Sequence, residues 1–365
     1  MIHGRVKCRI DSTGRHAVQL AALFRLVVIT LMASAFGPGL IGCRTPLKPV
    51  FEPATNMPVW PAAPAQARVR YVGQLSTAAD LKPARKAWDV FRDILAGPEK
   101  PDELFGPRSV VCTRNGQRVW ICDPGGRCVQ VFDLDDRRSS KITRVGKTQL
   151  LTPTDICAGP PGTLFLCDTE GNSIHKISGR DGSLIESLQT EPDLLRAVAL
   201  DWNPRTAELF VVDIGAHDIK VLNEKGRTLR VIGHRGVKPG EFNFPTDLAL
   251  DNDRLWVVDS GNRRVQGLSL KGEAPIIIGK PGDAPGDLAL PKSIAIDSDG
   301  HLYVVDARFE NIQVFDRTGR LLLYWGDEGS GPGEFWLPGG IYIGANDRIW
   351  VCDPYNKRVQ VFDYI

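Results

Sequence analysis

The sequence predicts an all-β chain, a six-bladed β-propeller of four-stranded antiparallel blades, and three observations carry that prediction. The first is a recurring strand, Leu255-Trp256-Val257-Val258-Asp259, with near copies ending at Asp123, Asp168, Asp213, Asp306 and Asp353. The second is the spacing, since successive aspartates lie 45, 45, 46, 47 and 47 residues apart. A fixed period of that length marks a repeat architecture, one supersecondary unit per step. The third is the content of each step: short runs rich in Val, Ile and aromatics, separated by Gly, Asn and Asp turns at about ten-residue intervals, which read as four antiparallel strands. Residues 248–251, 255–258, 265–270 and 274–278 show them most cleanly. Six such sheets arranged radially make a propeller.

Taken in order, residues 1–42 hold Arg5, Lys7, Arg9, Arg15 and Arg25 against Asp11 alone, ahead of the apolar run 26–36. That is the build of a targeting segment, and the run is short of the roughly 20 residues a bilayer span needs. Leu40-Ile41-Gly42-Cys43 resembles the lipobox of bacterial lipoproteins. The resemblance implies cleavage after Gly42, lipidation of Cys43 and, with Arg44 rather than Asp next, the outer membrane if the source is Gram-negative. Residues 43–67, punctuated by Pro46, Pro49, Pro53, Pro58, Pro61 and Pro64, read as an extended tether. Removing 1–42 takes the 45 basic and 43 acidic residues to 40 and 42. A near-neutral exported chain gives no reason to expect nucleic acid.

The propeller is expected over 68–365. Repeat six stops at its third strand, whereas residues 68–76 form a strand without a repeat. Because an unpaired edge would leave the ring open, that N-terminal strand is expected to complete the last blade. Trp88, Phe91 and Leu95, stopped by Gly97-Pro98, predict one short helix over 83–96. The repeats follow from about 104 to 365.

Asp259-Ser260-Gly261-Asn262-Arg263-Arg264-Val265-Gln266 and Asp353-Pro354-Tyr355-Asn356-Lys357-Arg358-Val359-Gln360-Val361-Phe362 resemble the NHL repeat, a propeller family. Repeats one and five keep the Val-Gln-Val-Phe or Ile-Gln-Val-Phe strand, and repeats two and three diverge. Cys122, Cys167 and Cys352 fill the slot held by valine in the other repeats, so they read as small buried hydrophobes. An oxidising compartment would also permit disulfides, with Cys157 and Cys167 facing across a hairpin as one possibility.

The repeated aspartates, one per blade, read as turn ties rather than catalytic groups. The Gly-x-x-Gly-x-x-Pro-Gly-Glu-Phe loops at 233–242 and 326–335 run into Pro245 and Pro338, not into a helix N-terminus. They read as inter-blade connectors rather than phosphate loops. More informative are positions that differ between blades: Ser109, Asp155, Ala197, Asp247, Ser293 and Gly340 align at the start of the inner strands, near the channel mouth. Asp155 and Asp247 could hold a divalent cation, calcium or zinc, or a polar ligand. Arg127, Arg263, Arg264, Arg308 and Arg358 are expected to crown the same face. The opposing reading makes the two carboxylates strand caps and pairs the arginines with blade aspartates.

Resemblance also brings in enzymes of similar plan, metal-dependent lactonases and NHL-type peptidyl-amidoglycolate lyases, the latter with zinc-binding histidines. Here His175, His217, His234 and His301 occupy unlike places in their repeats, which weakens an enzymatic reading without removing it. The expectation is therefore a monomeric, lipid-anchored module that binds an envelope protein or peptide. Its alternatives are a metal-dependent hydrolase or lyase acting at the channel mouth, and a self-assembling structural protein of the envelope.

Overall fold

The computed structural model describes residues 49–52, 56–82, 102–190, 194–251, 253–270 and 274–365. The targeting segment, Cys43 and the helix expected over 83–96 lie outside the described residues. Within them six antiparallel sheets follow one another in the chain. Blade one is Ser109–Thr113, Arg118–Asp123, Cys128–Asp133 and Arg138–Ile142. Blade two is Pro153–Ala158, Thr163–Asp168, Ser173–Ser178 and Leu184–Ser187. Blade three is Ala197–Asn203, Glu208–Asp213, Asp218–Asn223 and Thr228–Ile232. Blade four is Pro245–Leu250, Arg254–Asp259, Arg264–Ser269 and Ile276–Ile278. Blade five is Pro291–Ile296, Leu302–Asp306, Asn311–Phe315 and Leu321–Trp325.

Blade six takes Ile341–Ile343, Arg348–Asp353 and Arg358–Tyr364 from the end of the chain, and Val69–Leu75 from its beginning. The borrowed strand pairs antiparallel from Val69 opposite Tyr364 to Leu75 opposite Val359, closing the ring as the unfinished last repeat requires. A fifth strand, Val59–Trp60, then pairs with Val69 and Arg70. Here the tether expectation is corrected. Val50 and Phe51 are buried, with Phe51 edge-on to Trp350 at 5.5 Å and Trp60 edge-on to Phe362 at 5.9 Å. Apolar rings spaced among the prolines bind this stretch to blade six instead of leaving it extended.

The strands are driven inward by what they carry. Leu255–Val258 and their counterparts are buried on both faces because each blade is covered by the next. Trp256 and Val258 of blade four pack with Ile294, Val304 and Phe315 of blade five. Trp350 and Cys352 of blade six meet Val110, Ile121 and Phe132 of blade one, so the seam where the ring closes is as apolar as the rest. Each large side chain fully removed from water contributes about 1.5–3 kcal/mol.

The six cysteines of the described residues are buried and unpaired. A Cys157–Cys167 disulfide is excluded by register, since Cys157 faces Phe165 and Cys167 faces Asp155. Burial pushes the Cys128 and Cys167 thiols up to about 12, the state of inert packing groups.

The blade aspartates tie turns as expected and also reach further. Asp123 accepts from Gly126 N–H in its own turn at 3.0 Å, and from Phe105 and Gly106 N–H in the incoming connector at 2.8 and 2.9 Å. Asp168 and Asp213 hold Leu151 with Thr152, and Leu195 with Arg196, in the same way. Every blade thereby fixes the loop that delivers the chain to its own inner strand.

Candidate functional site

Those fixed connectors deliver the inner strands to one cavity of about 610 Å³ at the mouth of the central channel. Ser109 faces Cys122, Asp155 faces Cys167, Asp247 faces Val258 and Ser293 faces Val305, the equivalent places the repeat alignment predicts. In blade six Gly340 takes that place, its carbonyl accepting from Cys352 N–H at 2.8 Å. In blade three the alignment is corrected: Ala199, not Ala197, lies opposite Val212. The register shift that puts it there is shared with blades two, four and five, so Ala197 is the counterpart of Pro153, Pro245 and Pro291, two residues before the aligned column.

Two residues beyond Ala199 the inner strand of blade three supplies a third carboxylate to the cavity, Asp201, which sequence alignment missed. Together the three stitch neighbouring blades. Asp155 accepts from Ser109 Oγ of blade one at 2.5 Å and from Leu200 N–H of blade three at 2.6 Å. Asp201 accepts from Leu250 N–H of blade four at 2.8 Å, and Asp247 from Ser293 Oγ and Ile294 N–H of blade five at 2.5 and 2.9 Å. Ser293 Oγ in turn accepts from Ile341 N–H of blade six at 3.1 Å. Burial in the channel wall pushes Asp201 and Asp247 up to about 7, with the neighbouring charge of Asp155 adding to the rise; Asp155 itself is raised by burial.

These geometries answer the cation question. Each carboxylate already accepts two or more protein donors, and among the described residues no three His, Cys, Asp or Glu side chains gather as a metal site. The donors around Asp155 and Asp247 do not fit a calcium or zinc ion. His175 and His217 are buried in protein hydrogen bonds, and His301 bonds to Asp297 at 2.9 Å.

The five arginines divide. Arg127, Arg263 and Arg308 are exposed in the turns after the second strands, but the cavity is lined from those turns by Pro124, Ala307, Pro354 and Tyr355 instead. Arg264 and Arg358 are structural ties, and here the expectation is corrected. Arg358 is buried and donates to Asp353, Gln74, Ser330, Gly331 and Glu334, using all five guanidinium N–H groups. Arg264 bonds Asp259, Lys238 and Glu241 alike. The NHL signature is thus a clamp on the connector: its Asn, Arg and Gln converge on the blade aspartate and on the preceding glycine loop.

Three further features of the mouth lay outside the sequence reading. Arg108 and Lys292 line the cavity, one residue ahead of Ser109 and Ser293. Exposed large apolar groups also stand in the connectors and turns that lead to the inner strands: Phe105 (52%), Leu195 (69%), Phe244 (49%), Trp336 (50%) and Tyr355 (58%), of which Tyr355 lines the cavity. Trp336 lies 5.4 Å from Tyr355. Most of these are held from behind, since Phe105, Leu195 and Trp336 donate their N–H to blade aspartates and Phe244 donates to His217 Nδ1.

Six closed antiparallel sheets around a lined channel define the class, a six-bladed β-propeller. Comparison with known families agrees: an NHL repeat model matches residues 242–268, and a family described as 6-bladed beta-propeller matches 291–364. The chain is a six-bladed β-propeller that carries NHL repeats. No curated protein matches it.

Similar solved structures include virginiamycin B lyase from Staphylococcus aureus, at 16% identity and TM-score 0.52, covering 72% of this chain and 96% of that one. An auxiliary nutrient binding protein from Bacteroides thetaiotaomicron has 11% identity and TM-score 0.56, with 72% and 69% covered. A chain of Kuenenia stuttgartiensis hydrazine synthase has 12% identity and TM-score 0.52, with 73% and 97% covered. At such identities the likeness is one of fold, shared by a lyase and a binding protein alike.

Proposed function

We propose that this protein is a binding module of the cell envelope, exported, lipid-anchored at Cys43, and engaging its partner with the channel-mouth face. One observation carries the binding reading: large apolar side chains stand exposed in the connectors that enter the blades, on backbone that buried aspartates hold in place. Isolated surface hydrophobes are common, but several large ones fixed on the connectors are the form of a recognition surface, where aromatic anchors dominate affinity. The similarity to a nutrient binding protein is consistent with it. The alternative of a metal-dependent hydrolase or lyase at the channel mouth would need converging metal donors, and among the described residues no three His, Cys, Asp or Glu side chains gather to supply them.

The test compares cross-linked partners of the full-length protein with those of a Phe105→Ser, Trp336→Ser, Tyr355→Ser variant. A partner lost on the triple change, and kept when the outer-strand residues Ile185 and Leu229 are altered instead, supports docking at the mouth. Retention by the triple variant moves the partner elsewhere. Labelled fatty acid that enters a Cys43→Ala protein as well as the parent would remove the anchor from the proposal.

A further inference from the structure

The residues one step outside the first layer of the mouth are Arg108, Thr154, Val198, Thr246, Lys292 and Gly339, one from each blade, and all line the cavity. Their order around the ring matters. Blades five, six and one are consecutive, so Lys292 and Arg108 flank Gly339, a position with no side chain. The neighbouring Gly340 packs against the Arg108 backbone, where an added Cβ would stand 2.2 Å from the Arg108 carbonyl oxygen. At Gly339 an added Cβ would meet the Arg108 and Pro107 carbonyl oxygens and Pro354 Cδ at 3.7–3.9 Å, ordinary contact, so a side chain could be accommodated there without a clash.

Each cation feels one carboxylate, Arg108 that of Asp155 and Lys292 that of Asp306, without an ion pair to either. Among the described residues, the Arg108 and Lys292 side chains make no ion pair or hydrogen bond, while Thr246 Oγ1 fixes the Lys292 backbone by donating to its carbonyl at 2.9 Å. Partial burial pushes the Lys292 amine down, and the nearby positive charge of Arg108 adds to this, with Asp306 opposing. Asp306 is itself engaged by Ala289 and Leu290 N–H. Two unpaired like charges held beside a partly enclosed cavity are an unfavourable arrangement that an anion relieves.

The carboxylates of the mouth border the cations but are differently engaged. Asp155 accepts from Ser109, the neighbour of Arg108, and Asp247 from Ser293, the neighbour of Lys292, while Asp201 lies in blade three; each is already satisfied by protein donors. The mouth therefore sets cations without hydrogen-bond partners beside carboxylates whose acceptor positions are taken.

We propose that the channel mouth holds the carboxylate or phosphate group of a small organic ligand between Arg108 and Lys292, in the notch left by Gly339. Arg108 can offer a two-pronged donor face and Lys292 a point charge, and the cavity is within the size range of small-molecule sites. This rests on the binding reading for the mouth, though not on the exposed apolar groups.

The experiment titrates the full-length protein with succinate, inorganic phosphate and uncharged succinamide, following heat release and thermal midpoint. Saturable binding of an anion without a response to succinamide is expected, weakened at least tenfold by Arg108→Gln and by Lys292→Gln. Gly339→Glu, which places a carboxylate between the cations, should abolish it, and Asp247→Asn should leave it in place. Equal anion affinity in the parent and both Gln variants, or no saturable response to either anion, overturns the inference. If that happens while Trp336 and Tyr355 still govern partner capture, the binding reading stands alone. Should Gly339→Glu fail to fold, the two Gln variants decide.

Discussion

One buried position, seen in all six blades, separates the half of the ring that keeps the repeat from the half that has left it. It lies on the third strand opposite the middle of the second: Gln130, His175, Lys220, Gln266, Gln313 and Gln360. In blades four to six the glutamine clamps the connector that enters its blade. Gln266 donates to Glu241 O and accepts from Gly240 N–H, Gln313 does the same with Asp287 and Gly286, and Gln360 with Glu334 and Gly333. In blades two and three that connector is absent. Blade two seats His175 between two serines, and blade three sets Lys220 against Asp213 and Asp218. Blade one keeps the glutamine, but its amide nitrogen finds no acceptor among the described residues. The lesson is that this site must be polar because the blade aspartate and connector backbone face it; the identity of the polar group follows the connector.

The largest effect should come from Lys220→Met. Lys220 Nζ lies 3.2 Å from the fully buried Asp213 carboxylate and 2.8 Å from Asp218. Removing one member of a buried pair leaves an uncompensated charge, at a cost of about 3–5 kcal/mol. The N–H groups of Leu195 and Arg196 still serve Asp213, which places the expectation at the lower end of that range. Denaturant unfolding measures it, and a loss under about 1 kcal/mol would mean that blade three tolerates an apolar group where blade four needs a polar one.

Next in size, and sharper as a comparison, is the pair Gln360→Leu and Gln130→Leu. The first strands a buried N–H at Gly333 and a carbonyl at Glu334, for about 1–3 kcal/mol. The second removes an amide nitrogen that already lacks a partner and should change stability little. Equal losses in the two would show that packing of the side chain, and not the connector clamp, sets the value of this position.

This position also shows how far the sequence could be read. The six strands and the closing segment were readable because apolar alternation and a fixed period are local properties, and Val69–Leu75 had no other sheet to complete. The glutamine clamp was not readable, since the Val-Gln-Val-Phe pattern shows a polar residue in a strand but not which distant backbone it bonds. The site was half visible. Asp155 and Asp247 do stand at the mouth, whereas Asp201 lies two residues past the aligned column, where blades two, four and five carry Cys157, Ala249 and Ala295. Arg358 matched the expected crown by position in its turn, but three of its five bonds depend on a connector some 24–28 residues earlier and a fourth on Gln74 of the closing strand. Arg108 and Lys292 sat one place from the aligned column, and only their shared cavity and lack of partners distinguish them from ordinary surface charge.

The smallest effect separates blade two from its neighbours by pH. His175 is buried, with Ser173 Oγ 3.0 Å from Nε2 and Ser187 Oγ 2.9 Å from Nδ1. Burial holds its pKa below the ordinary histidine value, and the Asp168 carboxylate pulls the other way. The sign follows from the reference state. An unfolded ring takes up its proton near pH 6.5, before the folded one does, so the stability that neutral His175 contributes is present above that pH and lost as pH falls through the folded value. Asp201 and Asp247, raised to about 7, act oppositely, weakening the fold as pH rises from about 4 toward 7. A His175→Gln protein keeps both carboxylates, so the difference between its thermal midpoint and the parent's isolates the histidine. That difference should move in favour of the variant between pH 7.5 and 5.5; if it moves in favour of the parent instead, blade two carries a charged histidine and resembles blade three rather than the glutamine blades.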